Sequence, residues 1–214
     1  MNLCTAVSLK DNVFLYVPNL ICYMRLILNL VAAAIYLGFP VMSVALMGLS
    51  ASLDFFDGYF ARMFNQCSKF GVILDIFCDN LWRTTCWLVA ATEYRYLVSV
   101  ALVIIATEWT TMLATQLTSQ MKQGRHWKER NTSDPWLVSI VFKDNFRNPA
   151  GVSCIFGLFF CPALICWNIL MPEFMSPLPA FNIILGYACF GRIYSLLVEW
   201  YFILDFMSLI QEFL

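Results

Sequence analysis

Charged residues are scarce in this sequence. Asp, Glu, Lys and Arg make up 13% of its 214 residues, whereas a soluble globular domain carries about a quarter. This shortage excludes a disordered chain, a coiled coil and most water-soluble enzymes. Thirteen basic residues nearly balance fourteen acidic ones, so the chain also lacks the basic stripe on which nucleic-acid binding depends.

Cysteine pairs with metal-binding spacing are also absent. The nine cysteines include no Cys-x-x-Cys pair, and most lie inside apolar runs, where cysteine behaves as a small hydrophobic residue. We therefore expect neither a zinc site nor a disulfide framework. Lys10 and Asp11 interrupt the N-terminal segment, and no basic region leads into a small-residue cleavage site, so we expect no cleaved signal peptide.

Long apolar runs, by contrast, recur along the whole sequence. Hydrophobic residues make up 61% of the chain, and about 20 apolar residues suffice to cross a bilayer as a helix. The runs predict six transmembrane helices, at residues 18–37, 41–62, 71–92, 96–120, 150–170 and 181–206. The expected fold is an all-α integral membrane protein whose six-helix domain, at 18–206, lies between a cytosolic or interfacial segment at 1–17 and a cytosolic tail at 207–214.

The basic residues between these runs predict the orientation of the helices. Cytosolic segments of membrane proteins carry an excess of Lys and Arg. With a cytosolic N-terminus, nine basic residues fall on the cytosolic side and only Arg95 falls on the other, so both termini are expected in the cytosol. The glycosylation sequon at 131–133 then lies in a cytosolic loop, where we expect it to be unmodified, and His126 is expected to be a solvated residue of the same loop.

Four aspartates interrupt the second and third apolar runs. Asp54 and Asp57 lie near the end of the second run, and Asp75 and Asp79 lie near the start of the third. Spacings of three and four place each pair on one helix face, and a turn at about 63–70 would bring both pairs to one depth near the cytosolic surface. Four converging carboxylates must be partly protonated or neutralised by cations, and oxygen ligands suit Mg²⁺ or Mn²⁺. The alternative is that the aspartates cap helix ends and face water.

Small residues share the helix face of the aspartates. Gly58, Ala61 and Gly71 lie within about one turn of an aspartate, and Arg62 falls on the same stripe. Close packing of neighbouring helices alone would explain the glycines. Small residues would also let a flat base and its phosphates approach the backbone, with the Arg62 fork bound to a phosphate. The combination of acidic, small and basic residues favours this second interpretation.

Read in full, residues 54–79 have the pattern Asp-x2-Asp-Gly-x2-Ala-Arg-x8-Gly-x3-Asp-x3-Asp. This pattern resembles the signature of the CDP-alcohol phosphatidyltransferase family at every fixed position, and the family has a six-helix membrane fold. Within the family, the chain most resembles the eukaryotic phosphatidylinositol synthases. The residues that carry this closer resemblance are Val17-Pro18-Asn19-Leu20-Ile21, Tyr23, Arg25, Asn65-Gln66, Phe70-Gly71 and Leu74-Asp75.

The resemblance implies a reaction and a role for each residue of the pattern. The phosphatidyl group of CDP-diacylglycerol would be transferred to myo-inositol, giving phosphatidylinositol and CMP, at a site that faces the cytosol in the endoplasmic reticulum membrane. The resemblance also implies a homodimer. The Mg²⁺ or Mn²⁺ ligands would be Asp54, Asp57, Asp75 and Asp79, of which Asp79 would also be the general base. The donor would bind at Gly58, Ala61, Arg62, Ser68 and Gly71.

The acceptor side departs from the pattern of these synthases. Asn80 stands where a basic residue usually follows the last aspartate, Glu108 stands where a His is usual, and the polar pair of the fifth span is not evident at 154–160. Three alternatives therefore stay open: another alcohol acceptor such as serine or glycerol 3-phosphate, a catalytically silent paralogue, and a transporter or channel with the aspartates as a cation path. An ion path would not need the glycines or Arg62, which disfavours a transporter or channel.

Three further arginines have open roles. Arg147 and Arg192 are candidates to line the route of the acceptor. Alternatively, Arg147 anchors the cytosolic side of the fifth span and Arg192 pairs with Glu199 or Asp205. Arg25, inside the first span, is expected to pair with an acidic group, because an isolated charge within a membrane is costly.

Overall fold

The computed structural model describes residues 12–121 and 135–213, and all regular structure in this part of the chain is helical. The expected all-α class is therefore confirmed. The chain forms two compact units, with the boundary between Val89 and Ala90. The sequon at 131–133 and His126 lie outside the described residues, so the expectations for them stay predictions.

Three long helices make up most of the first unit. A short 3-10 helix at Val13–Leu15 precedes α1 (Val17–Ile35), α2 (Pro40–Met63) and α3 (Lys69–Glu93). Both α1 and α2 carry a proline in their first turn, where the missing N–H costs no helical hydrogen bond. The side chain of Gln66, in the turn before α3, accepts the N–H of Val17 at 2.9 Å. This contact ties the start of α1 to the α2–α3 turn.

Buried polar contacts hold α1 against α2. Two serines of α2 donate to main-chain carbonyls of α1: Ser43 donates to Ala32 at 2.9 Å, and Ser50 donates to Arg25 at 3.1 Å. Such contacts need small side chains at the helix crossing, and Ala32 is fully buried. The two serines therefore fix the register of α1 on α2, and with it the depth of Arg25.

Helix α3 returns antiparallel to α2. The indole N–H of Trp82, in the middle of α3, donates to the carbonyl of Met47, in the first part of α2, at 3.0 Å. At the other end of the pair, a tight turn connects the end of α2 to the start of α3. Asn65 in this turn has a φ of 53°, which is in the left-handed region that Asn tolerates. The turn expected at 63–70 is thus confirmed.

The second unit contains the α-helices α4 (Leu97–Met121), α5 (Trp136–Phe142), α6 (Pro149–Leu170), α7 (Pro172–Met175) and α8 (Phe181–Phe213), with a short 3-10 helix at Lys143–Phe146 between α5 and α6. The backbones of α6 and α8 touch at two glycines. A Cβ on Gly157 would lie 2.1 Å from the backbone nitrogen of Arg192, and one on Gly191 would lie 2.1 Å from the carbonyl oxygen of Ser153. Because only glycine permits this approach, these two positions determine how α6 crosses α8.

Five helices of the described residues are long and apolar enough to cross a membrane, namely α1, α2, α4, α6 and α8. Helix α3 has the expected length, but Asp75, Asp79 and Arg83 interrupt its apolar stretch. The third span therefore exists as a helix, and its passage through a bilayer stays a prediction. Helix α8 continues to Phe213, past its expected end at 206, so the segment expected as a tail is largely helical.

The cysteines behave as small hydrophobic residues, as expected. All eight cysteines of the described residues are free thiols, and six of them are buried. The buried ones are Cys22, Cys78, Cys86, Cys154, Cys161 and Cys166. The described part of the chain therefore contains no disulfide framework.

Candidate active site

One arginine brings the four aspartates together. Arg25 lies in the middle of α1, and its guanidinium reaches carboxylates on α2 and α3. Its Nη1 atom lies 2.6 Å from Asp57 and 2.8 Å from Asp75. Its Nη2 atom lies 2.8 Å from Asp54 and 2.6 Å from Asp79. The convergence that the spacing of the aspartates indicated is therefore present, within a single unit of the chain.

The four carboxylates differ in depth. The side chain of Asp57 is 7% exposed and that of Asp79 is 21% exposed, whereas Asp54 and Asp75 are 39% and 42% exposed. The Cys22 thiol, one helical turn before Arg25, also donates to Asp57 at 3.5 Å. The cluster thus has an inner side that protein groups cover and an outer side that faces the surroundings.

The charge of the cluster fits divalent cations. A single guanidinium offsets only one of four carboxylate charges, and the remaining charges repel one another in a partly buried site. Oxygen atoms of Asp54, Asp75 and Asp79 lie within 4.8 Å of one another, and two ligands of one Mg²⁺ or Ca²⁺-sized ion lie at most about 4–5 Å apart. Asp57 and Asp75 form a second such group with Cys22. The carboxylate oxygens of both groups suit a hard cation such as Mg²⁺ or Mn²⁺, whereas the Cys22 thiol does not.

From the sequence, Arg25 was predicted only to match a position of the phosphatidylinositol synthases and to pair with an unidentified acidic group. The structure shows that it pairs with all four aspartates. The signal in the sequence is a lone arginine in the middle of an apolar run. That signal predicts a partner, but it does not identify the partner, because the crossing of α1 over α2 depends on contacts far apart in the chain.

A cavity of about 890 Å³ opens beside the aspartates. This volume is in the usual range for small-molecule sites. The lining includes all five residues expected to bind the donor, which are Gly58, Ala61, Arg62, Ser68 and Gly71, together with Asp57 and Asp75. A ligand in this cavity would therefore contact both the small residues and two of the carboxylates.

The two glycines of the pattern have different surroundings. A Cβ on Gly58 would meet only the tip of the Arg62 guanidinium, at 3.5 Å, which is ordinary contact. A Cβ on Gly71 would lie 2.8 Å from Oδ1 of Asn19 and 3.1 Å from Oγ of Ser68. Gly58 is therefore covered only by a flexible side chain, while Gly71 is required by the close approach of α1 to the first turn of α3.

Ser68 and Arg62 contribute in different ways. Ser68 precedes α3, and its hydroxyl accepts the N–H of Gly71 at 2.9 Å, as a helix N-cap does. Arg62 is exposed at the end of α2, and it forms no ion pair with another residue of the described chain. Its guanidinium lies beside Gly58 and is available to a bidentate phosphate contact.

The two arginines expected near the acceptor lie in the second unit. Arg192 is 4% exposed and lies 3.0 Å from Glu108 and 3.1 Å from Glu199, which confirms the alternative that it pairs with Glu199. It also donates to Ser195 at 2.6 Å. Arg147 is exposed just before α6. A role of either residue in acceptor binding stays a prediction.

The chain is similar to curated phosphatidyltransferases. CDP-diacylglycerol–inositol 3-phosphatidyltransferase 1 of Arabidopsis thaliana is 36% identical over 151 residues, which cover 68% of this chain and 64% of the relative. The enzymes of the same name from Candida albicans and Homo sapiens are 45% identical over 74 residues and 39% identical over 79 residues. These two matches cover 35% and 37% of this chain and 32% and 37% of the relatives. The chain thus spans less than two thirds of each of these relatives.

The family itself is identified by a match over most of the chain. No solved structure matches significantly. The profile of the family described as CDP-alcohol phosphatidyltransferase matches residues 15–188, a range that includes the four aspartates, most of the cavity lining and most of the second unit. The chain therefore belongs to the CDP-alcohol phosphatidyltransferase family.

Proposed function

We propose that the chain transfers the phosphatidyl group of CDP-diacylglycerol to myo-inositol and releases CMP. The observation that carries the proposal is the four-carboxylate cluster beside a cavity whose lining includes every residue expected to bind the donor. The names of the similar enzymes from plants, fungi and animals support the same donor and acceptor.

The cavity is suited to the donor headgroup. Gly58 has no side chain at the α2 wall and is covered only by the flexible Arg62 tip, so the nucleotide could lie against the backbone there if that tip moves aside. The Arg62 fork, beside Gly58, would bind a phosphate through two parallel hydrogen bonds. The four aspartates would hold Mg²⁺ or Mn²⁺, which when bound neutralises charge on the diphosphate and on the leaving CMP. The protein's own contribution is mainly positioning and electrostatics, as in other phosphoryl transfers.

Asp79 is proposed as the general base. In the reaction, a hydroxyl oxygen of the acceptor forms a bond to the β-phosphorus, the bond from that phosphorus to CMP breaks, and the hydroxyl proton passes to a carboxylate oxygen of Asp79. A carboxylate is a weak base for an alcohol, so the proton moves as the new bond forms. Arg25 binds one oxygen of Asp79 at 2.6 Å, which leaves the other oxygen to take the proton.

Arg147 and Arg192 are proposed to contribute to acceptor binding. Arg147 is exposed, so it can meet a polar substrate that enters from water. Arg192 is 4% exposed and already bonded to Glu108 and Glu199, so the acceptor would reach it only by opening part of this network.

The membrane arrangement is proposed from the same features. Helix α3 would be the third of six spans, with its aspartates at the cytosolic end, where water and nucleotide are accessible. We place the protein in the endoplasmic reticulum membrane with both termini in the cytosol. Its six-helix domain would span residues 18–206, and two copies of the chain would form a homodimer. The diacyl tails of the donor would stay in lipid, which explains why polar residues lie at one end of apolar helices.

The proposal is tested with the whole chain purified in detergent. CDP-diacylglycerol and Mn²⁺ or Mg²⁺ are supplied with myo-inositol, serine, glycerol 3-phosphate or no acceptor, and CMP and the lipid product are measured. We expect phosphatidylinositol and CMP with myo-inositol, and only background with Asp75→Asn or in chelator. CMP release with a different alcohol would reassign the acceptor, and no release with any of them would overturn the proposed reaction.

A further inference from the structure

Arg25 contacts each of the four carboxylates through one oxygen only. Nη1 bonds Oδ2 of Asp57 and Oδ1 of Asp75. Nη2 bonds Oδ1 of Asp79 and lies 2.8 Å from Oδ1 of Asp54. Three of the four carboxylates thus accept hydrogen bonds from the Nη atoms, and Asp54 forms an ion pair with Nη2. The second oxygen of each carboxylate takes no hydrogen bond from Arg25 and can serve another cation.

The position of Arg25 is determined by the helix crossing rather than by the aspartates alone. Its side chain is 4% exposed, and its own carbonyl accepts the hydroxyl of Ser50 on α2. One turn earlier on α1, Cys22 donates to the same carboxylate oxygen of Asp57 that Arg25 binds. The arginine therefore approaches the cluster from its buried side, opposite the exposed faces of Asp54 and Asp75.

We propose that Arg25 is the resident counter-cation of the metal centre: it positions Asp54, Asp57, Asp75 and Asp79 through one oxygen each and leaves the other oxygens to the metal ions or, at Asp79, to the proton of the acceptor. This inference rests on the proposed function, because it assumes that the cluster binds divalent cations. Arg25 is a positioning residue in this scheme, since it acts on the reaction only through the carboxylates that it holds.

Charge explains why such a residue is needed. Four carboxylates within a few ångströms repel one another strongly where water is partly excluded. One guanidinium lowers the net charge of the cluster from −4 to −3, so the cluster can assemble before metal binds and still attract divalent cations. Lysine cannot replace this arrangement, because its ammonium is a point charge with three donors, whereas the planar fork reaches four partners.

The test compares Arg25→Gln with Arg192→Gln. Arg192 is a matched control because it is equally buried and bonded to two carboxylates, but it lies in the other unit and pairs with none of the four aspartates. Thermal unfolding of each purified variant is measured in detergent, once with chelator and once with excess Mn²⁺. In chelator, we expect the midpoint of Arg25→Gln to fall by roughly 5–10 °C, since loss of one partner leaves like charges unpaired in a site that retains some water.

The effect of Mn²⁺ distinguishes a positioning role from a merely structural one. Added Mn²⁺ should raise the midpoint of Arg25→Gln by more than it raises that of the wild type, because the ion supplies the missing countercharge. Mn²⁺ should raise the midpoint of Arg192→Gln by the same amount as that of the wild type, even though this variant is also destabilised. The unfolding midpoint of Arg25→Lys in chelator should lie between those of the wild type and Arg25→Gln.

Three results would count against the inference. An unchanged midpoint of Arg25→Gln in chelator, or a Mn²⁺ shift equal to that of the control, would overturn the role of Arg25 and leave the proposed reaction intact. A wild type that neither binds Mn²⁺ by electron paramagnetic resonance nor shifts with it would overturn the metal site of the proposed function, and the inference with it.

If Arg25→Gln yields no folded protein, the double variant with Asp57→Asn replaces it. Removal of one carboxylate should restore the yield of folded protein in chelator, since repulsion is then reduced. A double variant that folds no better than Arg25→Gln would show that Arg25 stabilises the helices by packing, and the inference would fail.

Discussion

Oδ1 of Asp79 lies 2.6 Å from Nη2 of Arg25, and the Asp79 side chain is half as exposed as that of Asp75, at 21% against 42%. The two carboxylates are one helical turn apart on α3 and point the same way. Arg25 binds both carboxylates, but Asp79 lies deeper in the cluster than Asp75. A carboxylate held by one oxygen presents the other in a fixed direction, as a general base requires.

We therefore predict that Asp79→Asn and Asp75→Asn fail in different ways. Asp79→Asn should lower kcat by roughly two to four orders of magnitude, the usual effect of losing a general base, while the affinity for CDP-diacylglycerol changes little. Asp75→Asn should weaken the binding of Mn²⁺ and of the donor. Both affinities and turnover are measured side by side. Equal losses of affinity in the two variants would reject a pure base role for Asp79.

Replacement of Arg62 by lysine tests whether the shape of the guanidinium, and not only its charge, is needed to bind the donor. Arg62→Lys keeps the positive charge but cannot make two parallel hydrogen bonds to a phosphate. Because Arg62 forms no ion pair with the described residues, its replacement should not disturb the fold. We expect a higher KM for CDP-diacylglycerol, by about tenfold if one charge-assisted hydrogen bond is lost. Unchanged KM and kcat would show that Arg62 only anchors the cytosolic side of α2.

The two glycines of the pattern should respond oppositely to alanine. Gly58→Ala adds a methyl group in ordinary contact with a flexible arginine tip and gains about 1 kcal/mol of helix propensity, so the protein should remain stable while donor binding weakens. Gly71→Ala places a methyl group 2.8 Å from the buried Asn19 and should destabilise the fold by about 1–3 kcal/mol. Thermal unfolding and KM, measured for both variants, check the contrast. A loss of stability in Gly58→Ala with unchanged KM would contradict it.

The spacing of the aspartates was sufficient to predict their convergence, because both pairs lie on single helices joined by a short turn. The contact between Gly71 and Asn19 could not be predicted in this way. Gly71 was expected to let the donor approach, but its missing side chain first accommodates α1. That contact joins residues more than fifty positions apart, and it depends on the crossing of α1 that Ser43 and Ser50 fix.

The second unit shows a similar limit. Helix α5 was not predicted, and neither was the following bend, where Asp144, Asn145 and Phe146 all have positive φ values. Three consecutive residues in this region are unusual for side-chain-bearing residues, so local propensity favours other conformations. The departure at Glu108, in contrast, now has a physical explanation, since its carboxylate is bonded to Arg192 on α8.

The Glu108–Arg192–Glu199 cluster yields the last prediction. One guanidinium, 4% exposed, faces two glutamates whose side chains are 0% and 10% exposed. Arg192→Gln leaves two buried carboxylates without their cation and should destabilise the protein by about 3–5 kcal/mol.

Glu108→Gln should lower the free energy of unfolding much less. Glu199 still binds Arg192 through both oxygens, and the amide oxygen of Gln can accept the remaining hydrogen bond. This change also removes the excess negative charge of the cluster. Thermal unfolding in chelator compares the two variants without interference from metal binding. A Glu108→Gln variant as unstable as Arg192→Gln would show that both glutamates are needed to keep the arginine buried.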